Sequence, residues 1–489
     1  MKHWAARAMR STALGLLAEV FARAANTIFF VLLTWLLGGV ASSAYALGFT
    51  FTTFFIPIAL GGLDQLLARE VARDSAHSTL ILGNFLLARL VSSALCYAAL
   101  VFWVLGPYGF APAVNQVILV LGVTIITDNL VNIFQSYLIA RDRVGTITIL
   151  GAVTGGLKLA LGSLILLSGG DAVAAAWIVL ITSIVACLGY LWIIQRSFGW
   201  PRYSFDREFW RLNARAELPL LLVALMATVE GSFDALMLSR GDNALMVGIY
   251  AAATGILNVL LMLPQTYRQI ILPIMTSWYY TLRERAYTIY VQSGRVLLIV
   301  ALFISASLTL VADQILPILY HNQFLPAISV IQILVWSFVF SSINVPNGRL
   351  MLVAGRQVAS VPIQVGSVVL NIALNLILQP TLGPQGAAIA RVASTALFFI
   401  WSFVYVQRHI YAANVWSIAA APIGAVLCML AVTLGLRWLN IHWILALASG
   451  WVVYVVALLA FRGVSLAELR GLIALGLRRD AQTIVKGPS

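Results

Sequence analysis

Ionisable side chains that lie inside long apolar runs are the residues of this chain that could carry chemistry. Such a group costs roughly 3 kcal/mol or more at the centre of a bilayer unless it faces a cavity or a partner of opposite charge. A cation at that depth suits a bound anion, whereas an acid suits a proton or a sodium ion. The basic candidates are Arg23, Arg89, Lys158, Arg268 and Arg391, and the acidic candidates are Glu19, Asp128, Glu230 and Asp234.

The basic candidates differ in depth and in available partners. Lys158 lies midway along its run with no acid three or four residues away, so it needs a partner from another helix or a ligand phosphate. Arg89 and Arg391 lie nearer the ends of their runs, from which a long side chain can reach the interface. Arg268 lies at a run end, where a role in orienting the chain is favoured. We predict that these four residues and Arg23 bind substrate.

Two pairs of charged residues share a helix face. Glu19 lies four residues before Arg23, so the two can pair, or Arg23 can face a bound anion. Glu230 and Asp234 are also four residues apart, and two acids on one face repel each other unless a cation or a proton intervenes. These acids can bind a coupling ion, or they can neutralise a cation such as Lys158 on another helix.

The remaining acid, Asp128, belongs to a polar stripe. It shares a helix face with Asn132 and Gln135, at spacings of four and three residues. A stripe of this kind lines water or a neighbouring helix. The predicted ion-coupling residues are therefore Glu19, Asp128, Glu230 and Asp234, and the predicted coupling ion is H⁺ or Na⁺.

The sequence lacks the constellations that enzymes need. It has no glycine-rich phosphate loop and no zinc-type histidine pair, because its five histidines are scattered. Its three cysteines fall in separate apolar runs, without metal-ligand or redox spacing. We therefore predict a transporter with no catalytic residues, no bound metal and no cofactor beyond the coupling ion.

The elements that must position these residues are membrane helices. Of the 489 residues, 61% are hydrophobic and 10% are charged, whereas a soluble domain has about a quarter of its residues charged. The apolar runs are long enough to cross a bilayer as helices, which takes about 18 to 20 residues. They do not show the alternation of apolar and polar residues that is typical of membrane strands. We predict an all-α polytopic membrane protein with about fourteen spans, at 11–38, 42–66, 80–106, 114–140, 146–168, 172–195, 215–238, 246–272, 293–319, 327–354, 358–378, 386–407, 416–438 and 440–461.

The net charge of +13 indicates topology rather than nucleic-acid binding. Arginines and lysines are concentrated in alternate connections, and the intervening connections hold only Arg240 and Arg437. Positive residues stay on the cytoplasmic side, so an even number of spans places both termini in the cytoplasm. We expect a multi-pass protein of a bacterial inner membrane that is a monomer and binds no nucleic acid.

An internal repeat predicts how the spans are grouped. Residues 157–161 match residues 370–374 at an offset of 213, and at the same offset Arg143 falls on Arg356. Duplication is the simplest account, and paired repeats place a substrate site at their interface. The predicted parts are two pseudo-symmetric six-helix lobes, an N-lobe (1–200) and a C-lobe (201–410), then two extra spans (411–464) and a basic amphipathic cytoplasmic tail (465–489).

Three blocks of sequence, in their order and spacing, are typical of one transporter family. They contain Tyr45-Ala46-Leu47 with Gly62-Leu63-Asp64-Gln65, then Phe233-Asp234 with Gly248-Ile249-Tyr250-Ala251, and finally Leu370-Asn371-Ile372-Ala373-Leu374-Asn375 with Gly383-Pro384-Gln385-Gly386. The chain resembles the polysaccharide-biosynthesis flippases, the O-antigen type, of the multidrug/oligosaccharidyl-lipid/polysaccharide (MOP) exporter superfamily.

The resemblance implies a function. A two-lobed transporter would move an undecaprenyl-diphosphate-linked oligosaccharide, the repeat unit of an O-antigen, exopolysaccharide or capsule, across the inner membrane by ion-coupled alternating access. The family carries cavity cations for the diphosphate, and Arg23, Arg89, Lys158 and Arg391 have suitable depths for this role. Asp234 matches the family's acid on the seventh span. The implied partners are the lipid-linked glycan, membrane lipids and a glycan polymerase or export machinery.

Three other functions are less favoured. A cation-coupled multidrug antiporter of the same superfamily would want net negative cavity walls and usually has twelve spans. Flippases for the lipid-linked peptidoglycan precursor also have fourteen spans, but their early arginine and aromatic signature is absent here. A membrane glycosyltransferase or ligase of the same pathway would need a catalytic acid or base on a long periplasmic loop, and the outer loops of this chain are short.

Overall fold

The structure, a computed structural model, describes most of the chain. The described residues are 2–60, 62–108, 110–204, 225–226, 228–239, 244–320, 324–412, 414–461 and 463. For residues 2–26, 60, 65, 107, 108, 415 and 417 only the backbone is described. This part of the chain is almost entirely helical and includes no strand.

Long helices joined by short turns make up the described chain. In chain order they are α1 (Lys2–Leu60), α2 (Leu63–Arg73), α3 (Ser78–Trp103), α4 (Pro112–Ala140), α5 (Val144–Leu167), α6 (Ala172–Phe198), α7 (228–238), α8 (Ala244–Leu260), α9 (Met262–Tyr279), α10 (Arg283–Leu319), α11 (Ala327–Leu334), α12 (Trp336–Val353), α13 (Ser360–Leu382), α14 (Pro384–His409), α15 (Val415–Trp438) and α16 (Trp443–Ala460). A π-helical turn, Val104–Tyr108, extends α3.

These helices confirm the all-α polytopic fold. Within the described residues, twelve helices are long and apolar enough to cross a membrane. The first predicted span and most of the second fall within α1, whose 59 residues extend about 88 Å along the helix path at about 1.5 Å per residue. The seventh predicted span lies partly outside the described residues. The eighth predicted span consists of α8 and α9, and the tenth consists of α11 and α12.

A glycine breaks α1 at the predicted boundary between its two spans. Gly38 has φ 76° and ψ −180°, a backbone conformation that residues with a side chain rarely adopt. The hydroxyls of Ser42 and Ser43 donate hydrogen bonds of 2.6 Å to the carbonyl oxygens of Gly38 and Gly39. These bonds satisfy backbone acceptors at the break, where the regular helical bonds are interrupted.

The amphipathic helix α2 was not predicted. The sequence placed the end of the second span at residue 66, but α1 ends at Leu60 and Gly62 adopts φ 100° before α2 begins. The buried face of α2 packs against α3, α4 and α6, whereas Arg69 on the opposite face is exposed. Its buried residues are Leu63, Leu66, Leu67 and Val71. Because its polar face cannot lie in hydrocarbon, α2 covers one end of this bundle instead of extending a span.

Equivalent turns support the internal repeat. The N–H of Arg143 donates to the carbonyl of Leu138, and the N–H of Arg356 donates to the carbonyl of Met351, both at 2.8 Å. In both turns the preceding N–H donates a second bond of 3.1 Å, from Asp142 to Ile139 and from Gly355 to Leu352. This pair of bonds makes each turn a Schellman motif. The left-handed residue is Asp142 in the first turn and Gly355 in the second. All these positions differ by the predicted offset of 213.

The chain forms two compact units. Unit 1 comprises Met1–Thr266, Gln314–Ser337 and Val358–Phe398, and unit 2 comprises Tyr267–Asp313, Phe338–Gln357 and Phe399–Ser489. Unit 1 thus combines the N-terminal helices with segments of the predicted C-lobe. The predicted lobes, divided at residues 200 and 410, were defined by the internal repeat and not by compactness. This division stays a prediction. The tail at 465–489 lies outside the described residues.

Within unit 2, the two extra spans α15 and α16 dock on α10. The hydroxyl of Tyr454 donates to the carbonyl of Ile299 at 2.8 Å, and the guanidinium of Arg437 lies 2.6 Å from the carboxylate of Asp313. The two acceptor residues on α10 are about 21 Å apart along the helix. The extra pair is therefore fixed to α10 over most of a membrane thickness.

The segment after α6 folds back along the start of α3. The N–H of Arg202 donates to the carbonyl of Thr79 at 3.0 Å, and the N–H of Ser204 donates to Oδ1 of Asn84 at 3.2 Å. Gly83 lies beneath this segment, and a Cβ atom there would lie 2.0 Å from the carbonyl oxygen of Arg202. Only glycine allows this approach of the two backbones.

We therefore expect Gly83→Ala to detach the segment from α3. Overpacking of this kind costs about 1–3 kcal/mol, and each 1.4 kcal/mol is about a factor of ten in population. Trypsin should cut after Arg202 about tenfold faster or more, as measured by mass spectrometry of timed digests. Gly151→Ala is the matched control, since no atom lies within 4 Å of its added Cβ. Equal cleavage of both variants would contradict the packing argument.

Candidate transport site

In unit 1, the polar stripe of α4 faces α6. The hydroxyl of Ser183 donates to the carboxylate of Asp128, and Thr127 shares a hydrogen bond of 2.6 Å with the same hydroxyl. Two turns further on, Nε2 of Gln135 donates to the hydroxyl of Tyr190 at 3.1 Å. The stripe was predicted to line either water or a neighbouring helix. The described contacts show that it lines a neighbouring helix, α6.

Lys158 reaches Asp128 from α5. The ammonium lies 5.4 Å from the centroid of the Phe29 ring and interacts electrostatically with the carboxylate of Asp128. The Phe29 ring in turn packs over Gly162, where a Cβ atom would lie 2.3 Å from it. We call Phe29, Asp128, Lys158 and Ser183 the lysine cluster. Lys158 thus has the partner from another helix that the sequence required, and its side chain is only half-buried.

A second cluster of unit 1 surrounds Asp234, which has no exposed side-chain surface. The hydroxyl of Tyr250 donates to Oδ2 and the side-chain amide of Asn375 donates to Oδ1, both at 2.8 Å. Nε of Arg391 lies 3.3 Å from Oδ2. We call these four residues the aspartate cluster. It joins α7, α8, α13 and α14.

Further polar groups extend the aspartate cluster. The guanidinium of Arg391 also donates to the backbone carbonyls of Glu230 and Gly231, and the amide of Gln364 donates to the carboxylate of Glu230. The amide of Gln379 donates to the backbone carbonyl of Asp234 at 2.9 Å. Arg391, which was predicted to bind substrate, is thus the counterion of Asp234. Of the two roles predicted for Asp234, ion binding or neutralising a cation on another helix, the contacts show the second.

The two clusters differ in how firmly neighbouring groups hold the carboxylate. The carboxylate of Asp234 accepts bonds from three groups, one of them a guanidinium, and all are buried or nearly so. A carboxylate held in this way is fixed in place. Among the described residues, the carboxylate of Asp128 has neutral hydroxyl donors, Ser183 and Thr124, and a lysine that interacts with it electrostatically. Among the described groups, Asp128 is therefore held less tightly than Asp234.

The remaining predicted site residues have different surroundings. Arg89 has no exposed surface, forms an ion pair of 2.9 Å with Asp64 of α2, and donates to the carbonyl of Ala59 at the end of α1. It fixes the junction of α1 and α2. Arg268 is exposed on α9. The side chains of Glu19 and Arg23 lie outside the described residues. As substrate or ion ligands, all four stay predictions.

Sequence reasoning missed the neutral members of both clusters. Ser183 and Gln364 are neutral polar residues in apolar helices and gave no signal. Asn371, Asn375 and Gln379 do form a ladder at intervals of four, and their side chains are buried and bonded to one another along α13. That spacing in an apolar span was the available signal for a polar partner of Asp234.

Solved structures of membrane transporters share this fold. The lipid II flippase MurJ, in an inward closed conformation, aligns with a TM-score of 0.72 and 14% identity over 97% of this chain and 100% of that chain. An inward-facing multidrug resistance transporter of the MATE family aligns with a TM-score of 0.65 and 18% identity over 79% and 94%. A MOP superfamily transporter from Pyrococcus furiosus aligns with a TM-score of 0.59 and 16% identity over 82% and 95%. The protein has the fold of the MOP superfamily of transporters and flippases.

The sequence gives the family within that class. Residues 8–279, more than half of the chain, match the polysaccharide biosynthesis protein family, and the chain belongs to it. No curated protein matches the sequence. The predicted resemblance is confirmed, and with it the class: a multi-pass membrane transporter or flippase. The matched residues contain the whole lysine cluster, and Asp234 and Tyr250 of the aspartate cluster.

Proposed function

We propose that this protein moves an undecaprenyl-diphosphate-linked oligosaccharide from the cytoplasmic to the periplasmic leaflet of a bacterial inner membrane. Family membership supports polysaccharide biosynthesis as the process. The observation that carries the proposal is the half-buried cation Lys158 inside a membrane helix, which interacts with Asp128 among the described residues. A transported lipid diphosphate supplies the negative charge that such a lysine favours. In this proposal both termini are cytoplasmic, the glycan is polymerised by a separate partner, and the protein acts as a monomer.

The charge balance favours a flippase over the multidrug antiporter. Among the residues of the unit 1 spans whose side chains are described, the cations are Arg89, Lys158 and Arg391. The acids inside the same spans are Asp128, Glu230 and Asp234. The antiporter reading needs walls with a net negative charge to hold a cationic drug. Three cations and three acids balance each other, so these residues do not give the cavity walls a net negative charge.

Transport into a reconstituted bilayer tests the proposal directly. The purified protein is placed in liposomes that contain a fluorescent undecaprenyl-diphosphate oligosaccharide, and a membrane-impermeant glycosidase reports how much glycan reaches the outer face. We expect the protein to speed this exposure at least about tenfold over empty liposomes, a change of about 1.4 kcal/mol in the barrier. Export of cationic dyes without movement of the glycan lipid would reject the proposal in favour of the antiporter.

Coupling to an ion is proposed to act through Asp128. A difference of one pH unit supplies about 1.4 kcal/mol per proton, a factor of about ten, so a gradient should stimulate wild-type transport by up to that factor. A coupling ion must bind the two states of the transporter unequally to drive it. Asp128→Asn should transport at the same rate with and without a pH or sodium gradient. If only Glu230→Gln abolished the stimulation, Asp128 would not be the coupling residue.

A further inference from the structure

A row of aromatic rings in unit 1 leads from the lysine cluster to the second half of α1. The Phe29 ring, whose centroid lies 5.4 Å from the ammonium of Lys158, meets the Tyr45 ring edge to face at 5.7 Å between centroids. The Tyr45 ring is nearly parallel to that of Phe49, with an angle of 13° and 6.5 Å between centroids. Both distances are in the range of favourable aromatic pairs. We call Phe29, Tyr45 and Phe49 the aromatic row.

Phe49 is the exposed end of the aromatic row. Phe29 has no exposed surface and Tyr45 is 4% exposed, whereas Phe49 is 43% exposed. Every other residue of the described stretch 42–52 is buried. One position before Phe49, Gly48 packs so closely on α4 that a Cβ atom there would lie 2.8 Å from the side chain of Leu121. The protein therefore surrounds this part of α1 and leaves one aromatic ring open.

The exposure of Phe49 differs from that of a ring that faces lipid. A helix that faces lipid exposes a stripe of residues at intervals of three and four. On α3, such a stripe contains Leu87, Leu90, Val91 and Leu95. At the same intervals from Phe49, Tyr45, Ala46 and Thr52 are buried and Thr53 is half-buried. Phe49 therefore faces a space between helices and not the hydrocarbon of the bilayer.

The groups along the aromatic row suit a sugar. The face of an aromatic ring carries partial negative charge, which attracts the polarised C–H bonds on the flat side of a sugar ring. At the other end of the row, Lys158 offers a hydrogen-bond donor and Asp128 an acceptor, and sugar hydroxyls can pair with both. A cationic drug also stacks on aromatic rings, but the ammonium of Lys158 repels a second cation.

We propose that the Phe49 ring stacks on a sugar ring of the lipid-linked glycan, an inference that rests on the proposed flippase function. With the diphosphate at Lys158, the ring-to-ring steps of 5.7 and 6.5 Å lead from the phosphate end of the site to the sugar end. Phe49 is a new assignment, because the site residues predicted from the sequence are all ionisable. The stack lets the transporter distinguish a carrier lipid that bears a glycan from one that does not.

Binding of two carrier lipids to the purified full-length protein in detergent tests the stack. Microscale thermophoresis compares the undecaprenyl-diphosphate oligosaccharide, purified from the protein's native cells, with undecaprenyl diphosphate that carries no sugar. We expect Phe49→Ala to weaken binding of the glycan lipid at least about tenfold, which is about 1.4 kcal/mol, and to change binding of the sugar-free lipid less than about twofold.

Matched variants separate stacking from apolar contact. Phe49→Trp keeps an aromatic face and should retain the affinity for the glycan lipid. Phe49→Leu keeps an apolar side chain without that face and should bind the glycan lipid as weakly as Phe49→Ala does. Phe102→Ala is the control and should bind like the wild type, since Phe102 is 77% exposed on α3 and lies outside the aromatic row.

The outcomes separate this inference from the proposed function. Equal weakening of both lipids by Phe49→Ala would overturn the inference, because the ring would then contact the carrier and not the glycan. Full affinity of Phe49→Ala or Phe49→Leu for the glycan lipid would also overturn it, even if wild-type transport is normal. Glycan-lipid binding that needs an aromatic ring at residue 49, in a protein that moves no glycan lipid, would instead support the stack and reject the flippase function.

Discussion

Lys158→Ala is expected to lower the transport of the glycan lipid by about ten- to hundredfold. A hydrogen bond to a charged group contributes about 1.5–3 kcal/mol, and each 1.4 kcal/mol is about a factor of ten. Lys158 is the cation of the lysine cluster, half-buried above the Phe29 ring. The measurement is the initial rate of glycan exposure in liposomes without an ion gradient, at equal amounts of inserted protein.

Controls must separate transport from folding, because removal of Lys158 leaves Asp128 without its cation. The double variant Lys158→Met/Asp128→Asn removes both charges and should insert like the wild type, yet it should transport as slowly as Lys158→Ala. Lys158→Arg keeps the charge and should retain most of the rate. Arg143→Ala, which removes an exposed positive charge at a turn, should have little effect. Wild-type transport by the double variant would show that Lys158 serves structure alone.

The membrane helices could be predicted because the bilayer imposes their length. An apolar run of about 20 residues has few alternatives in lipid, and α4, α5 and α6 begin and end within a few residues of the predicted spans. The end of α1 at Leu60 was missed because the residues that follow remain apolar on one face. Gly62, with a positive φ, precedes α2, and α2 turns that apolar face toward protein.

The charged residues of the candidate site could be predicted from the sequence, but their neutral partners could not. Charged residues inside spans are costly and therefore conspicuous, so Asp128, Lys158, Asp234 and Arg391 were all identified from sequence. Their partners come from helices that are distant along the chain. Ser183 lies 55 residues from Asp128, and Asn375 lies 141 residues from Asp234. Packing decides such pairings, and a hydropathy pattern contains no information about which helices touch.

The second large effect is expected at the aspartate cluster. Asp234→Ala should lower the free energy of unfolding by about 3–5 kcal/mol, because it removes the buried carboxylate that forms the ion pair with Arg391. The side chain of Arg391 is 15% exposed and that of Asp234 is fully buried, so water cannot replace the lost carboxylate. The measurement is denaturant unfolding of the purified protein in detergent micelles. Tyr250→Phe, which removes one neutral donor to the carboxylate, should cost only about 1 kcal/mol.

A matched pair in unit 2 separates burial from ion pairing as the cause. Arg437 and Asp313 lie closer, at 2.6 Å, but their side chains are 28% and 39% exposed. Because solvent screens such a pair, Asp313→Ala should cost about 0–1 kcal/mol. The double variant Asp234→Asn/Arg391→Gln should recover part of the loss, since neither side chain then carries a charge. If Asp234→Ala and Asp313→Ala were equally mild, the aspartate cluster would not lock α7 to α13 and α14, and Asp234 would be free to serve ion coupling.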